Sequence, residues 1–181
     1  VLGREIAAAG VAIENARLYD DARRRARWLE ACMDVSGLML SSDRDYTADG
    51  LDPIASRALQ ESGSQLALLM APAADGRGHI VAGVAGKRSP QFSGRSLKLD
   101  SPLLEGVLDG GEPVVLEDAS AVFGEVDAGI TGPLLAVALS TQGAHHGLLL
   151  LIRDPNALRY ARTDIEMGAV FGSHVALALE L

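Results

Sequence analysis

The beginning of this chain constrains its fold more than any other stretch. Between Val11 and Ala31, "VAIENARLYDDARRRARWLEA" contains no glycine, no proline and few β-formers, so nothing in it stops a helix. With its neighbours the helical stretch runs from Arg4 to about Leu40, with the glycines at 3, 10 and 37 as its weak points. At about 1.5 Å per residue this is a rod of roughly 55 Å. Every seventh residue from Ala12 gives Ala12, Tyr19, Ala26, Met33 and Leu40, and the series three later gives Asn15, Ala22, Leu29 and Ser36. That is an a/d seam, light in volume, with Asn15 as the polar residue that fixes register at a cost in stability. The predicted job of this face is pairing with another helix.

The last residues, "FGSHVALALEL", read as the start of a similar helix. Aligning Val11-Ala12-Ile13 with Val175-Ala176-Leu177 puts Ile6 opposite Val170, an offset of 164 residues, about one domain. Residues 1–42 are therefore expected to be the closing and linker helix of a preceding domain, and 43–181 a second domain ending in a truncated helix.

Between these ends, Asp52-Pro53 reads as N-cap and first helical position of "PIASRALQESG", a helix burying Ile54, Ala58 and Leu59 and stopping at Gly63. "SQLALLMAP" and "HIVAGVAG" read as adjacent antiparallel strands, the first buried on both faces. "KRSPQFSGRSLKL" is a loop leading into a short strand, and Ser101-Pro102 repeats the cap-plus-proline signal for "PLLEGVLDGG". "EPVVLED" is a further strand. "GPLLAVALSTQ" and "GLLLLIRD" form the strongest strand pair, joined by "GAHHG". Thr163 and Glu166 make a T-x-x-E capping box for the terminal helix. The order implies an α+β fold: a central antiparallel sheet of about six strands flanked by helices.

The totals narrow the function classes. Sixteen Lys and Arg against 24 Asp and Glu give a net charge of −8, which repels phosphate backbones and anionic lipid, so neither nucleic acid nor a membrane is expected as a partner. No run reaches ~18–20 apolar residues, and "VLGREIAAAG" lacks the order of a signal peptide. The lone Cys32 can form no internal disulfide, and inside a helical pattern it reads as packing. A reducing, cytoplasmic setting is expected.

"AAAGVAIENARLYDDA" resembles the closing helix of a GAF domain, and "YARTDIEMGAVFGSHVALALEL" the same region of the next one. "RWLEACMDVSGLMLS", "GRSLKLDSPLLEGVLDGGEPVVLED" and "GPLLAVALSTQGAHHGLLLLIRD" resemble, more narrowly, the second GAF domain of the actinobacterial DevS/DosT-type sensor histidine kinases. The resemblance covers nearly the whole chain. It implies one link in a cytosolic chain of sensory domains: a haem-bearing GAF domain before it, a dimerising helix and histidine-kinase core after it, in a two-component system sensing redox state or oxygen.

The chemistry-bearing residues mostly favour plain readings. His145 and His146 fall in the expected hairpin turn and, being adjacent, would point apart on a strand rather than converge on a metal. In the resembled kinases the haem-binding GAF domain carries its axial histidine before the strand that here reads "GPLLAVAL". The approach here, "VFGEVDAGIT", has none, so no haem and no other cofactor is expected. His79 and His174 have no second ligand at suitable spacing. "GVAGKRSPQFSGRS" matches neither phosphate-binding glycine pattern and reads as a mobile loop. Cyclic-nucleotide GAF domains share an N-K…F-x-x-x-D-E motif. "RDPNALRYARTDIE" has Tyr160 and Asp164 in place but no N-K pair and Ile165 instead of Glu, and Asp164 is also explained as a first-turn acid favoured by the helix dipole. "RRRAR" at 23–27 reads as the solvated flank of a helix pair. No nucleophile-and-base pair, G-x-S-x-G or coupled carboxylate pair is present, so no catalysis is expected of this segment. The expected function is a non-catalytic relay domain that homodimerises through its terminal helices and couples an upstream sensor domain to a kinase. The alternative is a small-molecule or cyclic-nucleotide receptor with a pocket between the sheet and "SGRSLKLDSPLLEGV".

Overall fold

The computed structural model describes residues 1–40, 50–99, 101–109, 111–123 and 129–180, with the side chain of Leu40 excepted. Among the described residues five α-helices surround one sheet: α1 (Leu2–Leu40), α2 (Asp52–Ser62), α3 (Pro102–Leu108), α4 (Ser120–Phe123) and α5 (Arg162–Leu179). The strands are β1 (Leu66–Pro72), β2 (His79–Gly86), β3 (Ser96–Leu97), β4 (Val114–Leu116), β5 (Leu134–Ser140) and β6 (His145–Ile152). They form a single antiparallel sheet in the order β3-β2-β1-β6-β5-β4. The expected α+β architecture with six strands is present. The expected boundary at 42/43 lies outside the described residues.

Because side chains alternate across a strand, each central strand feeds two cores. Ala67, Leu69, Leu135, Val137, Leu149 and Leu151 face the helix layer of α1, α2 and α5. Leu66, Leu68, Met70, Leu148, Leu150 and Ile152 face α3, α4 and the β3 segment. β1, β5 and β6 are buried on both faces, which is why they read as unbroken apolar runs rather than alternating ones. Gly147 sits where β6 crosses β1: a Cβ there would meet the Met70 carbonyl oxygen at 1.8 Å, and its φ of 138° is open to glycine.

Several local expectations shift. α2 starts one residue early: Leu51 is the N-cap, Asp52 is helical, and the Asp52 carboxylate accepts the Val84 N–H at 2.7 Å, tying α2 to β2. Ala55, rather than Leu59, joins Ile54 and Ala58 as fully buried. Gly63 ends the helix in the left-handed conformation, as expected. Ser101 caps α3 by backbone conformation without a side-chain bond. β6 begins at His145, so the histidines lie on a strand, beyond the turn. The T-x-x-E box does not form: Ala161 is the N-cap of α5, its N–H donated to the Asp164 carboxylate at 3.0 Å, and Thr163 is drawn away by a partner on α1. The segment expected as a mobile loop contains the end of β2, a short 3-10 turn (Ser89–Gln91) and the buried Phe92.

Candidate functional site

Two faces of α1 do different work. Trp28, Ala31, Cys32, Val35 and Met39 recur at helical spacing and are buried against α2 and α5. Trp28 meets Phe171 edge to face, ring centroids 5.6 Å apart at 66°. Cys32 is 1% exposed, the packing role its sequence context suggests, and burial pushes its thiol pKa up. The predicted seam lies on the other side. Ala12, Asn15, Tyr19, Ala22, Ala26, Leu29 and Met33 are all exposed, Tyr19 at 67%, Leu29 at 51% and Met33 at 71%. Leu40, the last predicted member, has no described side chain. Val11 and Leu18, each one position before a seam residue, are exposed too and widen the apolar face. Sequence reasoning passed over them because a strict heptad admits only two positions in seven.

A polar latch joins α1 to the start of α5. The Thr163 hydroxyl donates to Asp21, Arg24 Nη1 lies 3.1 Å from Asp164 Oδ2, and Arg25 Nη2 lies 2.8 Å from Glu166 Oε2. Thr163's hydrogen bond, ahead of the nearby arginines, holds Asp21 below the usual carboxylate range; Arg25 and then Arg162 do the same for Glu166. Asp164 is 1% exposed, and its Oδ2 also takes Arg153 Nη2 at 3.1 Å. Arg153, at the end of β6, is a junction: it donates to the Ser62 carbonyl of α2 at 2.6 Å and to the Leu158 and Arg159 carbonyls, and it stacks 4.2 Å from the centre of the Tyr160 ring. Tyr160 is buried, its hydroxyl 2.8 Å from Ser64 Oγ, and burial raises its pKa. The "RRRAR" run stays solvated, with Arg24, Arg25 and Arg27 37–56% exposed, and is tied to the domain at the same time: Arg24 and Arg25 reach α5, and Arg27 lies 3.9 Å from Glu61 of α2. None of these long-range partners carries a sequence signal.

On the other face of the sheet, Leu97, Leu99, Leu104, Val107, Val122 and Phe123 are buried where the alternative reading puts a pocket. A cleft of about 180 Å3 remains between the β3 segment and α4, lined by Leu97, Leu99, Val122 and Phe123 with Arg95 and Lys98 at its side. Residues 124–128 of the "VFGEVDAGIT" approach lie outside the described residues. His146 Nε2 reaches Glu180 on α5 at 3.2 Å, while neither ring nitrogen of His145 has a hydrogen-bond partner among the described residues. Burial lowers the pKa of both His145 and His79, and each is lowered further by a neighbouring histidine. His174 is half-buried on α5. Among the described residues no three His, Cys, Asp or Glu side chains are grouped to hold a metal, and no helix is long and apolar enough to cross a membrane.

No protein-family model matches the chain. Among solved structures it is similar to the second GAF domain of DevS from Mycobacterium smegmatis, at 21% identity over 72% of this chain and 90% of that one, with a TM-score of 0.62. The GAF domain of a phosphoenolpyruvate-protein phosphotransferase from Coxiella burnetii superposes with a TM-score of 0.69 at 16% identity, covering 86% of this chain and 94% of that one. The free methionine-R-sulfoxide reductase from Neisseria meningitidis, solved with its substrate, gives 0.66 at 13% identity over 86% and 90%. The sheet order, the helix layer and these superpositions agree: this chain has the GAF fold.

Proposed function

We infer that this is a non-catalytic relay domain of a sensor histidine kinase, pairing with a second copy through its terminal helices and passing a signal from an upstream GAF domain to a kinase core. The observation that carries this reading is the division of α1: one face is fastened to α5 by the latch and by Trp28, while the opposite apolar face is exposed over some twenty residues. A displacement of α1 imposed from its N-terminal end must then move α5, which leads onward. Packed helix pairs with light seams have neighbouring packings of similar energy, so small shifts suffice.

Residues 1–42 serve on this reading as closing helix and linker of the preceding domain, and 43–181 as the domain proper. The burial of Val175 and Ala176 on α5 supports it, because their counterparts at the 164-residue offset, Val11 and Ala12, are exposed apolar residues without a sheet to cover. Ala12 would then be shared between that contact and the pairing face, which runs from Ala12 to Leu40. A cytoplasmic location and the absence of haem belong to the same reading.

Sedimentation of wild type and Leu29→Glu at tens of micromolar, in about 0.3 M salt to suppress surface charge effects, tests it. The expected result is a wild-type dimer and a monomeric variant with unchanged circular dichroism, since a charge in a symmetric seam appears twice and costs on the order of several kcal/mol. Two monomers, or two dimers, would remove the pairing face from the account.

A further inference from the structure

The net charge of −8 conceals a segregation along the sheet. From Gly76 to Lys98, the stretch containing β2 and β3, there are Arg77, Lys87, Arg88, Arg95 and Lys98 and no acid. From Leu99 to Ile152, the stretch containing α3 and β4 to β6, there is no lysine or arginine, and the described acids are Glu105, Asp109, Glu112, Glu117 and Asp118. The strand order places the two stretches' outer strands, β3 and β4, at opposite edges. Arg77 and Lys87 are exposed around the first edge, the exposed Arg88 turns its guanidinium toward Gly129, and Glu112, Glu117 and Asp118 are exposed around the second edge. Asp75, just before the basic stretch, accepts the Arg77 backbone N–H at 2.9 Å, Arg95 and Lys98 are engaged within the protein, and Arg159 pairs with Glu117 at 2.6 Å.

Charge on a sheet edge ordinarily keeps copies apart, because the unpaired backbone of an edge is a template for another strand. That device works when both edges carry the same sign. With opposite signs, basic-to-basic and acidic-to-acidic approaches repel and basic-to-acidic approach attracts. We propose that the β3 edge of one molecule docks by charge against the β4 edge of a second copy, forming a head-to-tail, salt-sensitive contact distinct from helix pairing. The contact is heterologous, so it extends into chains rather than closing. It leaves the exposed face of α1 free, so both associations can coexist. Both edge strands are short, two and three residues, so charge rather than strand pairing supplies most of the attraction.

The test is sedimentation of the whole 181-residue protein over a range of concentrations at about 10 mM and about 0.3 M salt, where the Debye length falls from about 30 Å to less than 8 Å. Wild type is expected to show a concentration-dependent rise in sedimentation coefficient at low salt that disappears at high salt, whatever helix-paired species remains. Arg77→Glu/Lys87→Glu, which offsets most of the basic edge's charge, and Glu112→Lys/Glu117→Lys, which offsets most of the acidic edge's charge, should each lose the low-salt rise. An equimolar mixture should regain it, because the unaltered acidic edge of the first variant meets the unaltered basic edge of the second. The proposal is overturned by a wild type that sediments alike at both salts, by either variant keeping the rise, or by a mixture that fails to recover it. Helix pairing, if absent, would show separately as a high-salt monomer.

Discussion

Arg24 and Asp164 stand 140 residues apart in sequence and 3.1 Å apart in space, and they are unequal partners: the Arg24 side chain is 37% exposed and the Asp164 side chain 1%. The asymmetry predicts unequal mutants. Asp164→Ala leaves Arg153, 12% exposed, without its carboxylate, and should cost about 3–5 kcal/mol, as breaking a buried pair from one side does. Arg24→Ala removes a solvent-screened charge and should cost about 1 kcal/mol or less. Urea midpoints of the two variants decide the matter, and equal losses would mean that α1 and not Arg153 is the principal partner of Asp164.

Gly172 carries α5 over β5. A Cβ there would meet Val137 Cγ1 at 2.7 Å and the Ala138 carbonyl oxygen at 2.8 Å, and a strand carbonyl in a packed core has little room to yield. Gly172→Ala should therefore lower stability by about 1–3 kcal/mol through overpacking, despite alanine's better helix propensity. A thermal transition at or above that of wild type would show that α5 rides higher on the sheet.

Acid should weaken the fold through two histidines before it reaches the carboxylates. His79 and His145 have folded pKa values below their ordinary 6.5 because burial disfavours the charged ring. Below 6.5 the unfolded chain binds protons that the folded chain refuses, so stability is fully present above that value and declines as pH falls through the folded values. The lowered carboxylates, Asp21, Asp118, Glu166 and Glu180, follow the same sign at more acidic pH. Melting temperature should fall between about pH 7.5 and 5.5 in wild type and fall less in His79→Gln/His145→Gln.

Hemin should not give this protein a sharp, stoichiometric six-coordinate spectrum. His146 is engaged by Glu180, and among the described residues no three His, Cys, Asp or Glu side chains are grouped to hold a metal. A sharp spectrum abolished by His145→Ala or His146→Ala would name the ligand and reverse this expectation.

What could be read from the sequence divides by distance along the chain. The strands and the helix ending at Gly63 follow from local spacing, and the structure places them accordingly; Tyr19, Leu29 and Met33 are exposed on α1. The second stripe of α1, Trp28, Ala31, Cys32, Val35 and Met39, carries the same kind of signal and could have been recognised as a core face. The capping of α5 could not. Thr163 and Glu166 satisfy the local pattern, but Asp21 and Arg25, over 140 residues upstream, hold their side chains. Asp164 likewise takes the cap from inside a cluster that only the folded chain assembles. A local rule lost to tertiary partners.

Every residue of α1 before Asp21 is exposed, and among the described residues Asp21 to Thr163 is the first side-chain hydrogen bond from α1 to α5. The stretch from Leu2 to Asp20 is accordingly a lever nearly 30 Å long, at about 1.5 Å per residue, with its fulcrum at the latch. A tilt of roughly 10° about that point would carry its tip through about 5 Å, close to one helical turn. The same geometry works in reverse: a rearrangement of about 1 Å where Arg24 meets Asp164 would displace Leu2 several times as far.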